Sequence, residues 1–276
     1  MAEQKSPVSF PVLCGSIAGS IGGMGVKMHN EAFRVKGLSY TYVSFEPSGA
    51  KEAIDAMRAL GLRGLGVTMP FKEQVIPFLD ELDPVSREIG AVNTIVNNGG
   101  ALTGYNTDVY GAVTALTEVM DPTGKRIVIL GAGGGAKTLV WALKQYTGDI
   151  TLFNRDEKRG RETAGRFGIT FGGGVDRVDQ SLGYDILINC TSVGFKSKET
   201  ILTRDRIIPH TLVFDAVFIP IKTALLQEAA AVGCVCVSGT RMLMHQACKQ
   251  FELYTGTPAP LDVYETILNR ILNEGQ

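Results

Sequence analysis

The chain has 276 residues, 27 of them basic and 28 acidic, for a formal charge of -1. So even a balance excludes an electrostatic nucleic-acid binder and a polybasic membrane anchor, and the length lets two ordinary domains fold without disulfide or metal staples. Glycine stands at 33 residues with no triplet repeat, well above the usual ~7%, which points to tight turns and close backbone approaches.

In chain order, Phe10 to Ser16 reads as a buried strand running into a glycine-rich turn. The segment 27–37 (KMHNEAFRVKG) has helical spacing and stops at Gly37, a C-terminal cap glycine. Residues 40–45 (YTYVSF) form the next strand. The stretch 48–61 opens with Ser48 as the expected N-cap, places apolar residues at helical intervals and ends at Gly61. Residues 62–70 (LRGLGVTMP) make a third strand closed by Pro70, and 91–108 (AVNTIVNNGGALTGYNTD) a hairpin around Asn98-Gly99-Gly100.

The chain resets at Asp121-Pro122-Thr123-Gly124. A strand (Ile127 to Leu130), a glycine-rich turn, a helix and a second strand (150–154, ITLFN) follow. Further strands lie in 184–194, 211–217 and 234–239. From Thr240 onward the pattern is helix, a loop holding Pro258 and Pro260, then helix. The expected fold is α/β: an N-terminal α/β domain with a mixed sheet, a C-terminal domain with a parallel sheet, and terminal helices packing back on the first domain.

The five cysteines, Cys14, Cys190, Cys234, Cys236 and Cys248, are odd in number and hold no C-x-x-C pair, and there are three histidines. A disulfide framework and a Cys/His zinc site are not expected. Four of the cysteines sit in apolar runs and read as buried free thiols. The opening MAEQKSPVSF lacks a basic start and an apolar stretch, and no run of 18 apolar residues occurs, so the expectation is a cytoplasmic protein without a membrane span.

The strand Ile127 to Leu130 runs into Gly131-Ala132-Gly133-Gly134-Gly135-Ala136. Gly131 permits a tight turn, Gly133 lets a pyrophosphate approach the backbone, and Gly135 or Ala136 lets the helix pack close to the strand. The helix start then offers Gly134 and its successors as free N–H donors to phosphates. The second strand ends at Asn154-Arg155-Asp156, with Lys158 and Arg159 following. An arginine there pairs a ribose 2′-phosphate, whereas an acid accepts from an unphosphorylated ribose. NADP is favoured, with NAD the alternative through Asp156.

Two further segments carry polar residues at strand ends: Thr68 and Lys72 in GVTMPFKE, and Asn106, Thr107 and Asp108 in GYNTD. Taken in order, GVTMPFKE, GAVNTIV, GYNTD, GAGGGA, NRD, INCTSVG and HQACKQFELYTG resemble the shikimate dehydrogenase family (shikimate/quinate dehydrogenases) from about Gly15 to Gly256. The resemblance implies a substrate domain over 1–108, an NADP-binding Rossmann domain over 109–239, and C-terminal helices over 240–276. It implies reversible hydride transfer between NADPH and 3-dehydroshikimate, with Lys72 and Asp108 as catalytic dyad. Such a step needs a base for the hydroxyl proton while the hydride moves to the nicotinamide. By the same resemblance Thr68, Asn93 and Gln246 bind the ring hydroxyls, Thr191, Ala216 and Gly239 line the nicotinamide side, and Asn154, Arg155 and Arg159 meet the adenosine end. The implied partner is a small cyclic hydroxy acid, with neither nucleic acid nor membrane, and the chain a monomer or homodimer.

Several positions depart from the family pattern. Its S-x-S-P serines, which hold the substrate carboxylate, fall at Gly23 and Gly25 followed by Val26 when counted back from His29-Asn30, and that interval is about two residues longer. Counted from Gly15, Ser16 and Ser20 are the nearest hydroxyls, and Ser20 is the expected substitute. The asparagine of N-V-T is Gly66, a tyrosine is Phe218, and a glycine is Arg241, which either pairs a substrate carboxylate or points into solvent. The alternatives are therefore a quinate or aminoshikimate dehydrogenase, or a dinucleotide-binding sensor with little turnover.

Overall fold

The structure is a computed structural model that describes residues 10–19 and 23–274. They group into two compact units, one formed by the chain through Asn106 with Gln250–Asn273, the other by Thr107–Lys249. Thr107, Asp108 and residues 240–249 thus group with the second unit, where the sequence reading set them with the first. The reason lies in two helices of the second unit that pack on each other, described below.

The first unit runs β1 (Val12–Ile17), α1 (Met24–Val35), β2 (Tyr40–Phe45), α2 (Ala50–Ala59), β3 (Gly64–Val67), α3 (Phe71–Gln74), β4 (Glu81–Leu82), α4 (Pro84–Ile89), β5 (Thr94–Asn98) and β6 (Ala101–Tyr105). Its six-stranded sheet has the order β2-β1-β3-β5-β6-β4. β1 pairs parallel with β2 and β3, and β5 runs antiparallel to β3 and β6, so the sheet is mixed. The hairpin turns on Gly99 and Gly100, whose φ of 66° and 105° disfavours a side chain. α2 is capped by Gly49 and not by Ser48, since no side chain bonds its first N–H groups.

Alternation along each strand splits the residues between two faces. Ile17, Leu65, Val67 and Ile95 point one way and pack with Ile54 and Met57 of α2. Cys14, Ser16, Gly64 and Gly66 share the other, where Phe33 of α1 stacks on Phe251 at 5.4 Å and Gly64 lies against the Tyr254 ring.

The second unit holds α5 (Thr107–Thr117), β7 (Ile127–Leu130), α6 (Gly134–Leu143), β8 (Ile150–Phe153), α7 (Glu157–Phe167), β9 (Thr170–Gly173), β10 (Ile186–Asn189), β11 (Leu212–Asp215), α8 (Ala224–Ala231) and β12 (Val235–Ser238). Next, α9 (Gly239–Thr255) begins in this unit and ends in the first, and α10 (Leu261–Glu274) follows. The six strands are all parallel in the order β12-β11-β10-β7-β8-β9. Both faces are covered, as an all-parallel sheet requires. Ile127, Ile129, Ile186 and Ile188 pack with Leu116 of α5 and Leu139 of α6, while Val128, Leu130, Leu187 and Val213 pack with Leu225 and Leu226 of α8.

All five cysteines are free, but the expected burial holds for Cys14 and Cys248 alone. Cys190 and Cys234 are half-buried and Cys236 is exposed, because β12 is an edge strand and β10 has ended before residue 190.

Candidate functional site

In the first unit, one corner is fixed by backbone hydrogen bonds. Val67 N donates to Asn93 O at 2.7 Å, Phe71 N to Thr68 O at 2.9 Å, and Val92 N to Lys72 O at 2.8 Å. Asn93 N in turn donates to Tyr105 O at 3.0 Å. These bonds bring Thr68 and Lys72, the latter within α3, beside Asn93, although β4 and α4 intervene in the chain. Thr68 is exposed, Lys72 half-buried and Asn93 buried, its Oδ1 accepting from Thr94 Oγ1 at 2.8 Å.

Beside that corner, strand register sets Ser44, Ser16, Gly66 and Thr94 in one row across β2, β1, β3 and β5. The Ser16 and Ser44 hydroxyl oxygens lie 2.7 Å apart. A Cβ at Gly66 would lie 2.7 Å from the Tyr42 hydroxyl. The phenol of Tyr42 therefore takes the space that a side chain at residue 66 would fill. Burial raises the Tyr42 pKa, and a hydrogen bond with Ser16 pulls it the other way.

Tyr42 also stacks on His29, with ring centroids 4.4 Å apart. His29 Nε2 lies 3.4 Å from Gln250 Oε1 and its Nδ1 2.8 Å from the Tyr264 hydroxyl. Burial lowers the His29 pKa to about 4, against the opposing hydrogen bond with Gln250. Gln250 Nε2 donates to Asn93 O at 3.2 Å and to Thr94 Oγ1 at 3.0 Å. Sequence reasoning missed Tyr42, Ser44 and Gln250. The one available signal was the spacing of Gln250 four residues after Gln246. Ser20 lies outside the described residues. Gly23 is the N-cap of α1 and supplies no side-chain bond to it.

In the second unit, Asp108 sits in the first turn of α5 and is buried. Thr107 Oγ1 lies 3.4 Å from Gln246 Oε1, and Gln246 Nε2 donates to Leu243 O at 2.9 Å. Arg241, partly exposed, is paired within its own unit: its Nη2 lies 2.7 Å from Glu118 Oε1 and its Nε donates to Glu118 Oε2 at 3.1 Å. A carboxylate of the same unit has already taken its fork.

The strand order reverses between β7 and β10, the switch point where a doubly wound sheet opens a ligand crevice. Gly131 leaves β7 there with φ 106°, and a Cβ on it would sit 3.1 Å from Thr191 Cγ2. Added Cβ atoms at Gly133, Gly134 and Gly135 would meet nothing within 4 Å, so protein packing does not explain those glycines. Ala136, fully buried, does the close packing that the sequence left open between it and Gly135. No side chain caps α6, leaving its first N–H groups for a ligand. Those observations fit a dinucleotide pyrophosphate.

At the end of β8, Asp156 Oδ1 accepts from Arg159 N at 3.1 Å and caps α7. Arg159 Nε donates to Ala132 O at 3.2 Å, and Asn154 Nδ2 to Asp156 O at 2.7 Å. Arg155 is exposed and forms no such bond among the described residues. At the far side of the switch point, Thr191 Oγ1 donates to Asn189 Oδ1 at 2.7 Å and Asn189 Nδ2 to Asp215 Oδ1 at 2.9 Å. Thr223 Oγ1 donates to Asp215 Oδ2 at 2.6 Å. Burial raises the Asp215 pKa, and those bonds oppose it. Ala216 N donates to Asn189 O at 2.9 Å, and Gly239 fits against the Ala216 carbonyl.

A parallel doubly wound sheet with a glycine turn at its switch point, joined to a mixed-sheet α/β unit, defines a two-part, Rossmann-type oxidoreductase. Residues 23–95 match the model of the shikimate dehydrogenase substrate binding domain, and 239–265 that of the shikimate 5'-dehydrogenase C-terminal domain. The chain is 40% identical over 249 residues to the shikimate dehydrogenase (NADP(+)) of Pyrococcus abyssi, across 90% of this chain and 93% of that one. It belongs to the shikimate dehydrogenase family. A solved shikimate dehydrogenase in complex with NADP+ matches it with TM-score 0.87 and 35% identity over 95% of this chain and 96% of that one. The ligand-free 5-ketofructose reductase of Gluconobacter sp. strain CHM43 matches with TM-score 0.84 and 30% identity over 95% of this chain and 99% of that one. Among the described residues no helix is long and apolar enough to cross a membrane, and no His/Cys/Asp/Glu group could hold a metal ion.

Proposed function

We propose that the chain catalyses the reversible, NADP-linked interconversion of 3-dehydroshikimate and shikimate. One observation carries the reading: in a chain of this family, the hydrogen bonds around Val67, Val92 and Asn93 gather Thr68, Lys72 and Asn93 at one corner of the first unit. Bound NADPH supplies the hydride. Gly133, Gly134 and Gly135 take the pyrophosphate on backbone N–H groups, and Arg155, with Arg159, takes the 2′-phosphate. Thr68 and Asn93 in the first unit, and Gln246 in the second, hold ring hydroxyls. Lys72 Nζ gives a proton to the carbonyl oxygen on reduction and takes it back on oxidation, with Asp108 as the second member of the dyad. Thr191, Ala216 and Gly239 shape the nicotinamide end. The same reading puts the chain in the cytoplasm, as a monomer or homodimer, on the route to aromatic amino acids.

The glycine at 66, with the Tyr42 hydroxyl in its place, favours one second reading: the same chemistry on another polyhydroxylated substrate, such as quinate or the 5-ketofructose that the Gluconobacter relative is named for. The test is reduction of NADP or NAD by the purified protein with shikimate and with quinate, followed at the reduced cofactor. Saturable NADP reduction with shikimate is expected. Activity with quinate alone would move the assignment to the second reading. Lys72→Ala should cut kcat by about 10²–10⁴-fold, the usual worth of a positioned acid/base, with shikimate still bound in calorimetry. Near-normal turnover in that variant would remove Lys72 from the role.

A further inference from the structure

Two helices of the second unit carry its polar candidates: α5 holds Asp108 in its first turn and α9 holds Gln246. They meet at Gly111, where an added Cβ would strike the Met242 carbonyl and lie 3.0 Å from both Gln246 N and Gln246 Cβ. The backbone of Gln246 is thus seated one turn of α5 beyond Asp108. Close contact along a glycine fixes the distance between α5 and the start of α9, while Phe251 and Tyr254 hold the far end of α9 in the first unit, and the direction of that start sets where the Gln246 amide points.

A second contact holds that direction. Glu118, just past the end of α5, receives both guanidinium arms of Arg241, with Nη2 at 2.7 Å and 2.8 Å from its two oxygens and Nε at 3.1 Å. His245 Nε2 lies 2.9 Å from the same Oε1, on a ring that is almost wholly buried. Arg241 and His245 stand four residues apart, on one face of α9. One carboxylate therefore holds the first turn of α9 through Arg241, with His245 beside it one turn further on. A bidentate arginine pair constrains direction as well as distance. We propose that Glu118 is a positioning residue for substrate binding: through Arg241 it holds the direction of the start of α9, and so aims the Gln246 side chain at the ring that Asp108 also serves. The kinetic part rests on the reaction proposed above.

The test pairs kinetics with a measurement that needs no substrate. In Glu118→Ala, KM for shikimate should rise about tenfold, with KM for NADP and the melting temperature close to wild type. Glu118→Ala in a Gln246→Ala background should add nothing, because two residues that act through one side chain are not additive. Glu118→Asp, which keeps the charge on a shorter arm, should recover part of the loss. Hydrogen exchange should show residues 241–249 exchanging faster in Glu118→Ala while α6 is unchanged. Additive losses in the double variant, or KM rising alike for both substrates, would overturn the proposal. If the wild type leaves shikimate untouched, the reaction reading fails, and unchanged exchange in α9 would then sink the positioning role on its own.

Discussion

Gly66 is the residue of the polar row that the resemblance sets against a family asparagine, and the structure supplies a physical reason for a glycine. With the Tyr42 hydroxyl 2.7 Å from the would-be Cβ, even alanine is too large. Gly66→Ala should destabilise the protein by about 1–3 kcal/mol, the usual cost of overpacking. Adding Tyr42→Phe should restore part of that stability by deleting the hydroxyl in the way. Urea unfolding of the single and double variants checks this, and a double variant no more stable than Gly66→Ala would refute it. Arg155 makes the opposite case, an exposed cation without a hydrogen-bond partner among the described residues. If it pairs the 2′-phosphate, Arg155→Ala loses charge-assisted bonds worth ~1.5–3 kcal/mol. KM for NADP should then rise by about 10–150-fold with KM for NAD unchanged. Equal changes for both cofactors would show that Arg155 does not read the phosphate.

At the scale of elements, the turn after β8 shows one side chain deciding between two uses. The sequence reading left Asp156 open as an acceptor for an unphosphorylated ribose, but its Oδ1 caps α7 through Arg159 N. That cap also seats Arg159, whose Nε reaches the Ala132 carbonyl in the glycine turn. Loss of an aspartate cap costs about 1 kcal/mol. Asp156→Ala should therefore lower stability by that amount in urea unfolding, and it should weaken NADP binding by disturbing Arg159. A variant of unchanged stability would mean that the cap contributes nothing in solution. Two neighbouring strands are joined in a similar way: Asn189 and Asp215 link the ends of β10 and β11 beside Thr191 and Ala216. A buried asparagine closing an apolar strand is the sequence signal for that brace. Its partner could not be read from the spacing.

For the molecule as a whole, His29 is one buried group that ties stability to acid. Its folded pKa is about 4 against an ordinary 6.5, because burial disfavours the charged ring. Unfolding therefore takes up a proton between those values. Stability is constant above pH 6.5 from this group, and falls as pH drops towards 4, by about 3 kcal/mol in all. Measured against His29→Gln, the wild type should lose that much more unfolding free energy across the window, and parallel pH profiles would contradict it. What the sequence determined by itself was local. Helical and strand periods, the glycines at Gly37, Gly61, Gly99 and Gly131, and the short motifs established most of the elements and the two kinds of sheet, but not α3, β4, α4 or α5. They also pointed to the residues at the strand ends, since each of those signals lies within a few neighbouring residues. Only the tertiary structure decided what those residues touch. His29 meets Gln250 across 221 positions and Tyr264 across 235, and Arg241 meets Glu118 across 123. Ser48 lost its cap to Gly49, and the space at Gly66 passed to Tyr42. Periodicity reports which face a residue takes, whereas its partner on that face is chosen by how distant elements pack.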